Sequence, residues 1–173
     1  MKYLKSPIFK VGAKYGLFSG VMSIFILWVF VWLGQNPLYE MNFLVLEVIL
    51  LGIFVLFAIK EFKDRHGMGE LRFWQGMSTG FVVYLTTAIV FTPGLWLFLT
   101  IEPQVVAEYI QMSYQYQVDN EEMQVERMGR ELYEKGLKEL KSVRNQDLLL
   151  SGFLKKLFLG MFITPLISLI LRK

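Results

Sequence analysis

The sequence contains no cysteine and a single histidine, His66. The missing thiols exclude disulfides, thiolate catalysis, iron–sulfur clusters and lipoprotein acylation within these 173 residues. A lone histidine in a charged segment is typical of a solvated side chain, and it has no second histidine with which to share a metal. There is also no phosphate-binding glycine loop and no nucleophile–base constellation. We therefore expect no metal, no cofactor and no enzymatic activity.

Charge is scarce and unevenly distributed. Charged residues make up 19% of the chain, against about 25% in soluble domains. They crowd into a few short segments and leave long stretches without any. Because an ionised group in hydrocarbon is costly, this segregation indicates a membrane protein whose main partner is the lipid bilayer. The net charge of +3 is small, and the basic residues flank the apolar runs, so we expect no nucleic-acid partner.

Four apolar runs are long enough to cross a bilayer as helices, and none alternates with period two as a barrel strand does. The predicted spans are residues 14–34, 41–60, 74–101 and 152–171. The first run is too long for a signal peptide, lacks a cleavage site and is followed at once by another run, so we expect it to be retained. The fold class predicted is an all-α membrane protein, with residues 1–173 forming one membrane domain.

The basic residues predict the orientation of this domain. Short cytoplasmic flanks are enriched in Lys and Arg. The N-terminal segment, residues 60–72 and the C-terminal tail together hold ten in 29 residues. Residues 34–40 hold none, and residues 102–151 hold six against ten acidic residues. We expect both chain ends in the cytoplasm and the segment after the third span outside it.

That segment, residues 102–147, is predicted to form an extracytoplasmic helical hairpin. Pro103 occupies the favoured first position of one helix. Asp119 with Glu122 resembles a capping box that starts the second helix, which is apolar on one side and charged on the other. Such a helix needs cover for its apolar side. The hairpin partner helix or the membrane surface would supply it in the favoured interpretation, and a docked partner protein in the alternative.

Glycines recur at a spacing of four in the first and third runs, which lets helix backbones approach closely. The predicted helix-packing residues are Gly12, Gly16, Gly20, Gly76 and Gly80. Packing within the bundle is the favoured interpretation, and the seam of a homodimer is the alternative. Pro93 and Pro165 lie inside the third and fourth runs, where each removes a backbone donor and is expected to kink its helix.

Glu47 is the single charge of the second run, about two turns from its start. An intramembrane carboxylate is a functional hypothesis by default, and its partner has to be named. Lys155 and Lys156 enter the fourth run from the same side at a similar depth. We favour an ion pair between Glu47 and one of these lysines that fixes helix register. The alternative is a proton or cation site.

Three parts of the chain resemble a family of small four-helix inner-membrane proteins of Gram-negative bacteria, a domain family of unknown function. They are the segments KYGLFSG (14–20), IKEFKDR (59–65) with GELRFWQG (69–76), and PLISLILRK (165–173). Relatives often carry glycine after the proline, where this chain has Leu166, so packing there is expected to differ. The resemblance implies an inner-membrane location and the four-span topology, and it implies no activity.

Two functions remain open at this point. The first is a non-enzymatic accessory subunit or scaffold, in a homodimer or a larger membrane complex, that acts through helix packing and the hairpin. The second is a small oligomeric transporter or channel that uses Glu47 and helices broken at Pro93 and Pro165.

Overall fold

The computed structural model describes residues 6–172, and every regular element in that range is an α-helix. The helices are α1 (Pro7–Trp32), α2 (Met41–His66), α3 (Phe73–Ile101), α4 (Pro103–Asp119), α5 (Glu121–Met128), α6 (Arg130–Lys141) and α7 (Asn145–Leu171). Helices α1, α2, α3 and α7 are long and apolar enough to cross a membrane. The predicted all-α fold with four candidate spans is confirmed. Of the basic residues that orient the chain, Lys2, Lys5 and Lys173 lie outside the described residues.

Three of the four long helices, α1, α2 and α7, extend past the apolar runs into charged sequence. Helix α1 begins at Pro7, where the Ser6 hydroxyl accepts a hydrogen bond from the Phe9 backbone amide at 3.2 Å. Helix α2 continues to His66 and α7 already begins at Asn145. A helix that has nucleated continues through Lys, Arg and Glu at little cost, so the helices do not stop where the apolar runs stop. The connection between α2 and α3 is therefore only residues 67–72.

The bundle has two ends that differ in structure. The proximal end carries the starts of α1 and α3 and the last turns of α2 and α7. There Lys63 Nζ donates to the Leu171 carbonyl at 3.1 Å. The distal end carries residues 33–40 and helices α4–α6, and Asn36 Nδ2 donates to the Val105 carbonyl at 2.7 Å. At each end of the bundle, a contact between segments that are remote in sequence thus holds the helices together.

Helix α1 packs against α3 through its glycine stripe. A Cβ atom on Gly16 would lie 2.6 Å from the carbonyl oxygen of Val83. A Cβ on Gly12 or Gly20 would lie 2.7 Å from the side chain of Val82 or Val90, respectively. This face is therefore covered by α3 of the same chain, as the intrachain interpretation requires, and it is not open to a second copy.

A second face of α3 packs against α7. A Cβ on Gly80 would lie 2.3 Å from Thr164 Cγ2, and one on Gly76 would lie 2.6 Å from the Ser168 hydroxyl oxygen. On α7, a Cβ on Gly160 would lie 2.2 Å from the Tyr84 ring of α3. Small residues on both helices thus bring the α3 and α7 backbones close together.

Neither proline divides its helix. Helix α3 is continuous through Pro93, and α7 is continuous through Pro165. The helices that the transporter interpretation takes as broken are thus uninterrupted, and the kinks expected at both prolines stay predictions. Tight packing is one physical reason, because a Cβ on the adjacent Gly94 would lie only 2.2 Å from Ile24 Cδ1 of α1. Neighbouring helices commonly hold a membrane helix together across a proline.

The segment between α3 and α7 holds three helices and not the two predicted. Gly129 separates α5 from α6 with φ +83°, a conformation that glycine adopts without steric cost. The predicted capping box is wrong. Asp119 is the last helical residue of α4, its carboxylate accepts from Gln115 Nε2 at 2.7 Å, and Asn120 makes no side-chain capping bond. A capping residue must have a non-helical backbone, which Asp119 lacks.

Candidate functional site

A polar layer crosses the bundle between two apolar clusters. The proximal cluster includes Leu51 of α2 and Val83 of α3, and the distal cluster includes Phe43 of α2 and Phe91 of α3. Between them the buried positions of α1, α2 and α7 are polar. The residues are Ser23, Glu47 and Lys156. A polar layer inside an apolar bundle is costly unless its members satisfy one another.

Lys156 satisfies this layer by contacting all three other spanning helices. Its ammonium group donates to Glu47 Oε1 of α2 and, at 3.0 Å, to Ser23 Oγ of α1. The same nitrogen lies 4.0 Å from the centre of the Phe91 ring of α3, which is a cation–π distance. One side chain from each of the four helices therefore meets at the Lys156 nitrogen.

The pair lies well inside the bundle. Lys156 is 2% exposed and Glu47 is 7% exposed. At about 1.5 Å per residue, Glu47 is about 9 Å along α2 from its first residue, and Lys156 is about 16 Å along α7. The difference arises because α7 begins before the membrane-like part of its sequence. The ion pair is thus at a depth where an unpaired charge would be expensive.

The structure brings Glu47 together with Lys156 and not with Lys155. Lys155 is exposed and makes no salt bridge with any residue between 6 and 172. The helical period explains the choice: Lys156, Gly160, Thr164 and Ser168 follow one another at intervals of four and are all buried. Lys155 is turned by about 100° from that face.

The sequence analysis placed neither Phe91 nor Ser23 beside the pair. The spacing of residues along α1 and α3 does point to both residues. Ser23 continues the buried face of Gly16 and Gly20, and Phe91 continues that of Gly80, Tyr84 and Thr87, each at intervals of three or four. Extending those faces toward the level of Glu47 would have nominated both residues as neighbours of the pair.

A groove opens beside the pair at the distal end, and it is termed the α2–α7 groove. Its volume is about 660 Å³, and Glu47 lines its inner end. Apolar side chains of all four spanning helices form most of the surface. They are Leu27, Phe43, Leu44, Phe91, Leu95, Leu148, Leu150, Leu154, Phe158 and Leu159. Glu40, Asp147 and Lys155 also line it.

A second charged cluster joins α1 and α2 at the proximal end. Glu61 Oε2 accepts from Lys14 Nζ at 2.5 Å and from the Tyr15 hydroxyl at 2.7 Å. Arg65 lies 3.7 Å from the other carboxylate oxygen. Lys14 is 44% exposed and Glu61 is 15% exposed at their side chains. This cluster is therefore at the surface, unlike the Glu47–Lys156 pair.

The chemistry open to the polar layer is narrow. The ammonium group of Lys156 opposes the carboxylate charge of Glu47, so a cation could bind there only after displacing the lysine. Among residues 6–172 no three His, Cys, Asp or Glu side chains come together as a metal site would require. What the geometry supplies directly is a link between four helices.

Comparison with known proteins assigns the chain to a family. A family described as "Protein of unknown function (DUF4199)" matches residues 14–173. The chain belongs to this family. The match covers α1 from Lys14 onward, the other three spanning helices and the α4–α6 segment, so the resemblance to an uncharacterised family is confirmed. Comparison with curated proteins and with solved structures finds no match. Membership of DUF4199 assigns no activity.

Proposed function

We propose that the chain is a non-enzymatic accessory subunit or scaffold of the bacterial inner membrane, with both ends in the cytoplasm. It acts through a rigid four-helix bundle and through the α4–α6 segment, which would stand on the extracytoplasmic side. The basic residues at the proximal end support that orientation. A homodimer or a larger membrane complex would be the working assembly.

The observation that carries the proposal is the surface of the α4–α6 segment. Its core is small: Tyr133 and Leu140 of α6 are buried, and Lys141 covers the Tyr114 ring at 4.6 Å. Other large apolar side chains remain uncovered. They are Met112 (42% exposed), Tyr116 (48%), Val118 (40%), Met128 (44%) and Leu132 (57%). Exposed aromatic and methionine side chains on a water-facing segment are characteristic of protein interaction surfaces.

The rigidity of the four-helix bundle also supports the proposal. Its close helix contacts, such as those at Gly16 and at Gly80, resist sliding of α1 or α7 on α3. The Glu47–Lys156 pair then fixes α2 relative to α7. A rigid platform that presents an apolar surface is what a scaffold or subunit requires.

The transporter or channel remains the second candidate because Glu47 lines the α2–α7 groove. Two observations count against it. Thr86 and Thr87 of α3 do not line the groove, and Thr87 instead donates to the Gly16 carbonyl at 3.3 Å and to Val83. The helices expected to be broken at Pro93 and Pro165 are continuous.

Site-specific crosslinking in native membranes tests the proposal. Because the chain lacks cysteine, a photo-crosslinker can be attached at a single introduced thiol. Tyr116→Cys probes the apolar surface of α4, and Gln111→Cys is the matched control on another face of the same helix. We expect a heteromeric adduct of defined mass from position 116 only, with the same partner co-purifying at fixed stoichiometry in mild detergent. A homodimer as the sole assembly, with ion flux in proteoliposomes, would favour transport.

A further inference from the structure

The α2–α7 groove is a cleft in the wall of the bundle. In the proximal half the two helices meet, since a Cβ on Gly52 of α2 would lie 3.8 Å from Ile163 Cγ2 of α7. Toward the distal end they diverge, and Leu27 of α1 and Phe91 of α3 become the floor between them. Tyr109 of α4 lines the groove near its distal margin. The cleft is therefore closed toward the proximal end and open on the side of α2 and α7.

The size and lining of the groove match the apolar part of an amphiphile. Its volume of about 660 Å³ falls within the range of about 300–1,000 Å³ that small-molecule sites occupy. Leu44, Leu154 and Phe158 project into it and are 37%, 41% and 57% exposed. At this position in a membrane-spanning helix pair the surrounding medium is hydrocarbon, so a lipid chain is the molecule at hand to fill the space.

Charged residues along the groove indicate the headgroup. Glu40 precedes α2 and Asp147 lies in the first turn of α7, at the distal margin. Lys155 lines the groove about 12 Å further in along α7. A lysine in a helix extends toward the helix N-terminus, which for Lys155 is the distal direction. A headgroup that carries a phosphate and an ammonium group would pair the phosphate with Lys155 and the ammonium group with the carboxylates.

We propose that the α2–α7 groove binds one chain of a phospholipid whose headgroup bears a primary ammonium group, as in phosphatidylethanolamine. Lys155 contacts the phosphate, and Glu40, helped by Asp147, contacts the ammonium group. The chain covers the inner end of the groove and keeps water from Glu47. Excluding water lowers the local dielectric constant and strengthens the Glu47–Lys156 attraction.

This assignment gives Lys155 a role that separates it from its neighbour. Lys156 faces the bundle interior and holds the helices together, whereas Lys155 faces the groove and its headgroup. The two adjacent lysines would thus serve structure and lipid recognition, respectively.

Native mass spectrometry of the full chain in mild detergent tests the proposal. The probes are dipalmitoyl phosphatidylethanolamine and dipalmitoyl phosphatidylglycerol, added in equal amounts. Leu44→Trp fills the groove. Leu46→Trp is the matched control, because Leu46 is similarly exposed at 43% and does not line the groove. We expect one tightly held phosphatidylethanolamine per chain, weakened about fivefold or more by Leu44→Trp, a loss equivalent to about 1 kcal/mol, and unchanged by Leu46→Trp.

Two further variants address the headgroup without touching the bundle core. Lys155→Gln should weaken both lipids, and Glu40→Gln should remove the preference for phosphatidylethanolamine over phosphatidylglycerol. Equal retention of the two lipids by the unmodified chain would overturn the headgroup assignment. Equal binding by Leu44→Trp and Leu46→Trp would overturn the site itself. Thermal unfolding of each variant verifies that it is folded before its lipid binding is compared.

Discussion

The ammonium group of Lys156 donates to the carboxylate of Glu47, and both side chains are buried where four helices meet. The contact joins α7 to α2. The hydrogen bond of Lys156 to Ser23 and its cation–π contact with Phe91 connect α7 to α1 and α3 as well. A buried pair gains little over apolar residues of the same shape, because desolvation offsets the attraction. The pair instead fixes the register of the two helices, because only one position of α7 along α2 lets both charges meet.

Removing one partner of the pair should destabilise the bundle strongly. Glu47→Gln leaves the Lys156 ammonium group buried without its counter-charge, and breaking such a pair costs about 3–5 kcal/mol. Glu70→Gln is the matched control, because Glu70 is an exposed carboxylate outside the bundle core, and it should leave the stability unchanged. Thermal unfolding in mild detergent measures both variants. Equal loss in the two would show that the buried pair carries no special stability.

Replacing a glycine of the α1 stripe by alanine should destabilise the bundle. Gly16→Ala places a Cβ 2.6 Å from the Val83 carbonyl oxygen, a backbone atom that cannot move aside easily. Overpacking of this kind costs about 1–3 kcal/mol. Gly52→Ala is the control, because its nearest neighbour would be 3.8 Å away and alanine favours the helix.

The melting temperature and the oligomeric state of both variants would be measured together. We expect Gly16→Ala to melt earlier with the same assembly, and Gly52→Ala to match or exceed the parent chain. Dissociation of an oligomer without a change in melting temperature would instead place the stripe between subunits.

The sequence was sufficient to predict the four spans and the proximity of Glu47 to a lysine of the fourth. Both follow from strong physical terms, the length of apolar runs and the cost of an isolated charge in hydrocarbon. The helix ends were harder to predict, because charged residues such as those around Arg65 continue a helix as readily as they end it. The apolar length of a run therefore underestimates the length of its helix.

Other features depend on contacts between remote segments. The choice of Lys156 over Lys155 follows from the rotation of α7, which Gly160 fixes by packing on Tyr84. The continuity of α3 through Pro93 depends on its packing against α1. Gly129 lies within the segment predicted to be one amphipathic helix, yet its positive φ divides α5 from α6. A single sequence carries the pattern of each helix and not its rotation against the others.

The proximal cluster should contribute less than the buried pair and should respond to salt. Glu61→Gln weakens the contacts with Lys14 and Tyr15, and surface ion pairs of this type contribute about 0–1 kcal/mol. Because exposed charges are screened, the difference from the parent chain should shrink as ionic strength rises, whereas the Glu47→Gln difference should not. Thermal unfolding at low and high salt measures both. A Glu61→Gln effect that is independent of salt would contradict this account.

Thiol labelling in intact cells should reveal the orientation. Single cysteines at Tyr116 in α4 and at Met68 in the α2–α3 connection replace exposed side chains at opposite ends of the bundle. With a membrane-impermeant maleimide we expect Tyr116→Cys to be labelled from outside the inner membrane. Met68→Cys should react only after permeabilisation. The reverse pattern would invert the proposed topology.

A double-mutant cycle on Glu47 and Lys156 tests most directly whether the pair is a structural link. The variants are Glu47→Leu, Lys156→Leu and the double replacement, each compared with the parent chain by unfolding in mild detergent. We predict that the double variant is about as stable as the parent, because both charges are gone, while each single variant is much less stable. The coupling free energy should exceed the range of about 0.5–3 kcal/mol that is usual for residues in contact, because each single variant leaves an uncompensated buried charge. Additive losses, with a double variant less stable than either single one, would contradict the account.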